Sequence, residues 1–254
     1  MNTNGLLRRC LTPIAGLLLV LSSVGFAEDD KATTTTEDQT DIAKRLDASA
    51  NVLNEIMGAP DNGIPDNILG DAKCVAVVPS MVKFALGVGG QHGKGVATCR
   101  TATGWSAPAP ITVTGGSFGF QIGGQATDLV MLVMNQKGMD HLLSSKFKIG
   151  ADASAAAGPV GRHASADTDW KLKAEVLSYS RSRGAFAGVD LSGASIKQDK
   201  DETHILYGKM VPFETILAGK VPAPKESHSF LATLEKYAPT PTQRGSLNTT
   251  SEPK

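Results

Sequence analysis

Aromatic residues make up only 5% of this 254-residue chain, too few for the stacked platforms on which single-stranded nucleic acids lie. Charge of one sign is also lacking. Lys and Arg together number 25 and face 25 Asp and Glu, so nucleic acid is not an expected partner and any anion site must be a local patch. Histidines are few and scattered. His92, His141, His163, His204 and His228 show neither i, i+4 nor carboxylate-flanked spacing, which argues against a metal site. Asp201, Glu202 and His204 come nearest, but the run KQDKDE around them suits a solvated helix start or turn. No cofactor is expected either. HGKGVAT resembles a phosphate loop only superficially, because residue 88 is Val where Gly is required and Lys94 is followed by Gly95 rather than Ser or Thr.

Catalytic motifs fare no better. GGSFG, Gly115 to Gly119, matches the G-x-S-x-G pattern with Ser117 as nucleophile, but that serine needs a strand before it and a helix after it. FQIGGQATDLV follows instead, alternating and broken by glycine. A serine hydrolase using Ser117 is therefore a remote alternative to a glycine-rich β turn. SMVK, Ser80 to Lys83, matches S-x-x-K without its companion S-D-N and K-T-G motifs. The expected protein is not an enzyme.

What the chain does contain begins with an export signal. Arg8 and Arg9 precede the apolar run LTPIAGLLLVLSSVGF, and Gly25 and Ala27 supply small residues for cleavage, as in a secretory signal peptide over 1–27. The apolar run is short of the ~20 residues of a spanning helix and contains Pro13. Cleavage there leaves 23 basic against 25 acidic residues and a periplasmic or secreted protein. Cys10 leaves with the signal. Cys74 and Cys99 remain as an even pair in an oxidising compartment, where a hairpin could bring them together as a disulfide. Two buried free thiols are the alternative.

Residues 28–40, EDDKATTTTEDQT, have no apolar face and are expected to be a flexible leader. Ile42, Leu46, Ser49, Leu53 and Ile56 then recur at helical spacing. From Lys73 to Met134 the period becomes strand-like, and residues 87–124 hold eleven glycines, which suggests turns, bulges and close backbone approach. NQKGMDHLLSSK reads as a short helix capped by Asn135. AEVLSYSRSRGAFAGVDLSG reads as two strands turning near Gly184, and three short helices follow before a Pro-, Thr- and Ser-rich tail at 239–254. The expected fold is α+β: a curved, mainly antiparallel, glycine-rich sheet or partial barrel with an N-terminal helix and several short helices, in one domain over 41–238.

The basic residues of the second half fall in pairs. Arg181 and Arg183 share one face of an extended SYSRSRG with Tyr179, and Lys146 and Lys148 share one face of SKFKIG. Arg162 follows a Gly-Pro-Val-Gly turn. Paired guanidinium forks suit phosphate, while an ordinary solvated face with carboxylate partners such as Asp152, Asp167 and Asp169 explains the same spacing.

The blocks GFQIGGQATDLV, KFKIGADASAAAGPVGR and YSRSRGAFAG strongly resemble the lipid-binding SYLF domain, over about Asp41 to Gly219. That resemblance implies an α+β domain with a non-catalytic function, the binding of anionic phospholipid headgroups, phosphoinositides among them in eukaryotic members. It also implies lipid contact through an amphipathic N-terminal segment, here Ile42 to Met57, and through basic residues of the domain, which charge assigns here to Lys146, Lys148, Arg162, Arg181 and Arg183. Eukaryotic proteins with the domain this chain resembles are linked to cortical actin. An export signal makes actin an unlikely partner and an envelope phospholipid or membrane surface the expected one, with an envelope protein partner or scaffold role as the alternative.

Overall fold

The computed structural model describes residues 30–59, 63–144, 146–160, 174–182, 185–188, 191 and 193–239, of which 30–36, 84–88, 117–125, 182 and 185–188 are described by their backbone alone. The expected signal peptide, Arg162, Arg183 and residues 240–254 lie outside them.

Helix α1 (Asp30–Met57) carries the periodic face read from the sequence. Ile42, Leu46, Ser49, Leu53 and Ile56 are all buried, with Ala50 and Val52 beside them. Each large aliphatic side chain on this face contributes about 1.5–3 kcal/mol relative to exposure. The helix starts well before that face, so residues 30–40 are helical rather than a flexible leader. Extending a nucleated helix into a polar segment costs far less than starting one. Helix α2 (Asp66–Asp71) adds Ile68 and Leu69 to the same core.

Strands β1 (Cys74–Cys99) and β2 (Ala109–Val133) form a single antiparallel hairpin whose ladder runs from Cys74 opposite Val133 to Ala97 opposite Ala109. Most of the glycines expected to mark turns lie inside these strands. Without a Cβ, glycine lets a strand bend sharply while staying in its ladder, and register shifts between Val78 and Met81 and between Ala85 and Gly87 add to the curl. The hairpin curls until the two ends of β1 meet. There the Arg100 N–H donates to the Lys73 carbonyl at 2.7 Å, and Cys74 and Cys99 are joined as the expected disulfide. Where β1 passes itself, a Cβ on Gly95 would stand 2.2 Å from the Val77 carbonyl oxygen, and one on Gly93 would stand 2.6 Å from Val78 Cγ1.

Five short strands extend the sheet: β3 (Lys146–Lys148), β4 (Ala155–Ala157), β5 (Val176–Ser182), β6 (Ala185–Gly188) and β7 (Ser195–Gln198). Strands β5 and β7 pair with opposite ends of β2, β3 pairs with β7, and β4 and β6 both pair with β5. Among the described strands only the β4–β5 pair is parallel, and an isolated parallel bridge joins Ile149 to Ala153. The product is a curled half-barrel in an α+β fold, as expected.

Each face of this sheet carries a buried core. Cys74, Ala76 and Val78 join Ile111, Val113 and Met131 on one face, under α3 (Gln136–Leu143) and α5 (Phe213–Leu217). Val75 and Val77 join Val130, Leu132 and Tyr179 on the other, under α1, α2 and α6 (His228–Tyr237). Helix α3 is capped as its sequence predicts, with Asn135 Oδ1 accepting from Gly138 N–H at 2.9 Å. Helix α4 (Lys200–Tyr207) is capped by Asp199, which accepts from Glu202 N–H at 3.1 Å, and ends at Gly208 with φ 68°. Among the described residues no helix is long and apolar enough to cross a membrane.

Candidate functional site

Antiparallel pairing puts directly opposed residues on one face of a sheet, so register alone can assemble a site. Here it aligns Lys94 of β1 with Thr112 of β2, Thr112 with Lys197 of β7, and Lys197 with Lys146 of β3. One row across four strands therefore holds three lysines. The next row on the same face runs His92, Thr114, Ser195 and Lys148. Phe147 and Ile196, between the rows, point the other way into the core. Beside the first row lies a groove of about 660 Å³, lined by His92, Lys94, Lys146, Lys197 and the start of α4, including Lys200 and Asp201.

The groove is electrostatically uneven. Lys146 and Lys197 are like charges placed directly opposite each other, an unfavourable arrangement unless an anion is present. Among the described residues neither they nor Lys200 have an ion-pair partner within salt-bridge distance. Lys94 differs. Its Nζ lies 3.1 Å from Asp199 Oδ2 and 2.9 Å from Glu202 Oε1, while its side chain remains 40% exposed to the groove. Burial alone would lower its pKa, but the two carboxylates outweigh that effect and raise it above the ordinary lysine range. Burial likewise pushes Asp199 up, and hydrogen bonds from Glu202 N–H, Lys94 and Thr112 more than reverse it, holding this carboxyl below its usual range. The Thr112 hydroxyl donates to Asp199 Oδ2 at 2.9 Å. Glu202 also pairs with Arg45 of α1.

The basic residues singled out in the sequence divide between two places. Lys146 and Lys148 are exposed on the face just described. Arg181 is on β5, separated from β3 in the sheet by β2 and β7. The face it shares with Tyr179 is directed to the core, for Tyr179 is fully buried beneath the helices. At the rim of that core Arg181 Nε donates to Asp128 Oδ2 at 2.7 Å, and its guanidinium pairs with Glu55 of α1. Among the described residues its carboxylate partners are Asp128 and Glu55; Asp167 and Asp169 lie outside them. Asp152 serves a local role, accepting from the Lys148 backbone N–H at 2.7 Å.

Sequence reasoning missed Lys94, Lys197 and Lys200 as companions of Lys146. The available signal was the alternation in SIKQ, which sets Lys197 on the polar side of a strand. Its pairing partner is not visible from spacing. The KQDKDE run is a helix start as read, and it also forms one wall of the groove. Ser117 lies within β2, which continues to Val133, so the backbone lacks the strand-to-helix elbow of a G-x-S-x-G hydrolase. Ser80 to Lys83 likewise lies within a strand. Among the described residues no group of His, Cys, Asp and Glu is placed to hold a metal.

Comparison with known proteins gives the fold a family. Residues 114–237 match the model of the family described as "Ysc84: Las17-binding protein actin regulator". LAS seventeen-binding protein 3 of Saccharomyces cerevisiae is 31% identical over 218 residues, covering 83% of this chain and 47% of its own. Protein YSC84 of the same yeast is 31% identical over 189 residues, covering 73% and 40%. SH3 domain-containing YSC84-like protein 1 of Homo sapiens is 29% identical over 180 residues, covering 70% and 52%. The chain spans about half the length of the curated relatives it matches. Of these names, that of LAS seventeen-binding protein 3 and the family description speak of binding. With this match over the sheet and the C-terminal helices, the chain belongs to the SYLF, or Ysc84-type, domain family.

Proposed function

We propose that the protein binds anionic phospholipid headgroups without chemistry, using the lysine-lined groove between β3, β7 and α4. The observation that carries this reading is the row of Lys146 and Lys197, without an ion-pair partner among the described residues, with Lys200 at its end and Lys148 one row along. Phosphate satisfies such a row because its several oxygens accept from more than one ammonium group. Envelope localisation, periplasmic or secreted, is part of the proposal, and a disulfide between two fully buried cysteines suits an oxidising compartment.

Cosedimentation with phosphatidylcholine vesicles, with and without a fifth of phosphatidylglycerol, tests the proposal. Binding should require the anionic lipid and weaken as salt rises. At about 1 kcal/mol per lysine near an anionic surface, Lys146→Glu/Lys197→Glu should lower affinity by roughly thirtyfold or more. Equal binding to both vesicles, or an unaltered double variant, refutes it. The relatives' names favour one other reading, a protein partner. Capture of an envelope protein by lipid-free protein, unchanged in the same variant, would support that reading instead.

A further inference from the structure

Lys94 belongs to the groove and to a second structure at once. Behind it Glu202, with its side chain 10% exposed, is shared between Lys94 and Arg45, and Arg45 sits on α1 and does not line the groove. Asp199 completes the set, held by Lys94, the Thr112 hydroxyl and the Glu202 N–H. Two cations and two carboxylates balance here, and they join β1, β2, α4 and α1. An anion in the groove must compete with Asp199 and Glu202 for the one lysine already engaged.

We propose that Glu202 couples the docking of α1 to anion binding, each strengthening the other. This rests on the reading of the groove as an anion site. When Arg45 is docked, Glu202 is neutralised without Lys94, and the ammonium is available to a phosphate. When a phosphate draws Lys94 away, Glu202 is left to Arg45 alone and holds α1 more firmly. Linkage requires the two effects to be equal. Arg45 is thus a positioning residue for the site, acting through Glu202 on Lys94.

The test titrates purified protein with sn-glycerol 3-phosphate, which carries the headgroup chemistry without a membrane, and in parallel with phosphatidylglycerol vesicles. Glu202→Gln should bind both probes tighter, and Arg45→Gln should bind both more weakly, each by about fivefold, the low end of the range for coupled sites. Arg45→Lys should restore binding, and Arg45→Gln/Glu202→Gln should behave as Glu202→Gln alone. Amides of α1 should become better protected from hydrogen exchange when glycerol phosphate saturates the groove. A purely structural role for the cluster would instead weaken binding in both single variants, and that result overturns the proposal. So does unchanged affinity in Arg45→Gln. If wild-type protein binds neither probe, the groove reading fails first and this coupling with it. If Glu202→Gln does not fold, Arg45→Gln set against Arg45→Lys decides the matter.

Discussion

Removing the Cys74–Cys99 bond should cost a calculable part of the stability, because the bond closes the curled hairpin at its base. The two cysteines are 25 residues apart. In the chain-entropy treatment a loop of that size loses about 12 cal/mol/K on cross-linking, or about 3.5 kcal/mol at 25 °C. For a domain of this size that corresponds to a fall in Tm of roughly 10 °C. Cys74→Ala, Cys99→Ala and the double variant all break the bond, so they share the entropic loss. They differ only in packing, since both sulfurs are fully buried. Urea denaturation followed by circular dichroism gives both the stability and the m-value. The m-value should rise in every variant as the denatured chain expands. A loss below about 1 kcal/mol with an unchanged m-value would refute this reasoning, for it would mean that the unfolded ensemble is not constrained by the bond.

Two further substitutions test other parts of the structure. Arg181→Gln leaves Asp128, whose side chain is 13% exposed, without its cation, and should cost about 1–2 kcal/mol in urea denaturation. If the proposed lipid binding holds, its affinity for anionic vesicles should stay within about twofold of wild type, the range in which rim charges away from a site act; a tenfold loss of binding at full stability would add Arg181 to the proposed site. Gly158→Ala would place a Cβ 2.1 Å from Cζ of the fully buried Tyr179 ring. Such overpacking should cost about 1–3 kcal/mol or more and alter the near-ultraviolet dichroism of the tyrosines; unchanged stability and spectrum would show that the ring yields without strain.

Apart from the polar first part of α1, the helices were legible in the sequence because their signals are local. Ile42 to Ile56 repeat at helical spacing, Asn135 stands one residue before α3, and Asp199 stands one residue before α4. The sheet was legible as a class but not in its connections. Glycine between apolar runs signals a turn in most proteins, yet here it marks bending within two strands of 26 and 25 residues. The candidate site was readable only in part, since Lys146 and Lys148 show their shared face by spacing. Their meeting with Lys94, Lys197 and Lys200 depends on which strands pair and in what register. The surroundings of Arg181 were hidden for a related reason: strand period gives a shared face with Tyr179 but not whether that face meets solvent or α1.

The crossing of β1 over itself bears on how register is chosen. In a sheet with one wet face, a slip of one residue exposes apolar side chains and is rejected on polarity. Much of this sheet is apolar on both faces, so polarity discriminates poorly between alignments. Volume does so at Gly93 and Gly95. A slip of one residue would bring Lys94 or Val96 to a place where even a Cβ does not fit beside Val77 and Val78. A slip of two would seat one glycine and present Gln91 or Ala97 at the other position. The spaced pair therefore works as a two-pin key for the native alignment, and a side chain at either glycine would disturb the choice between alignments as well as straining the one that forms.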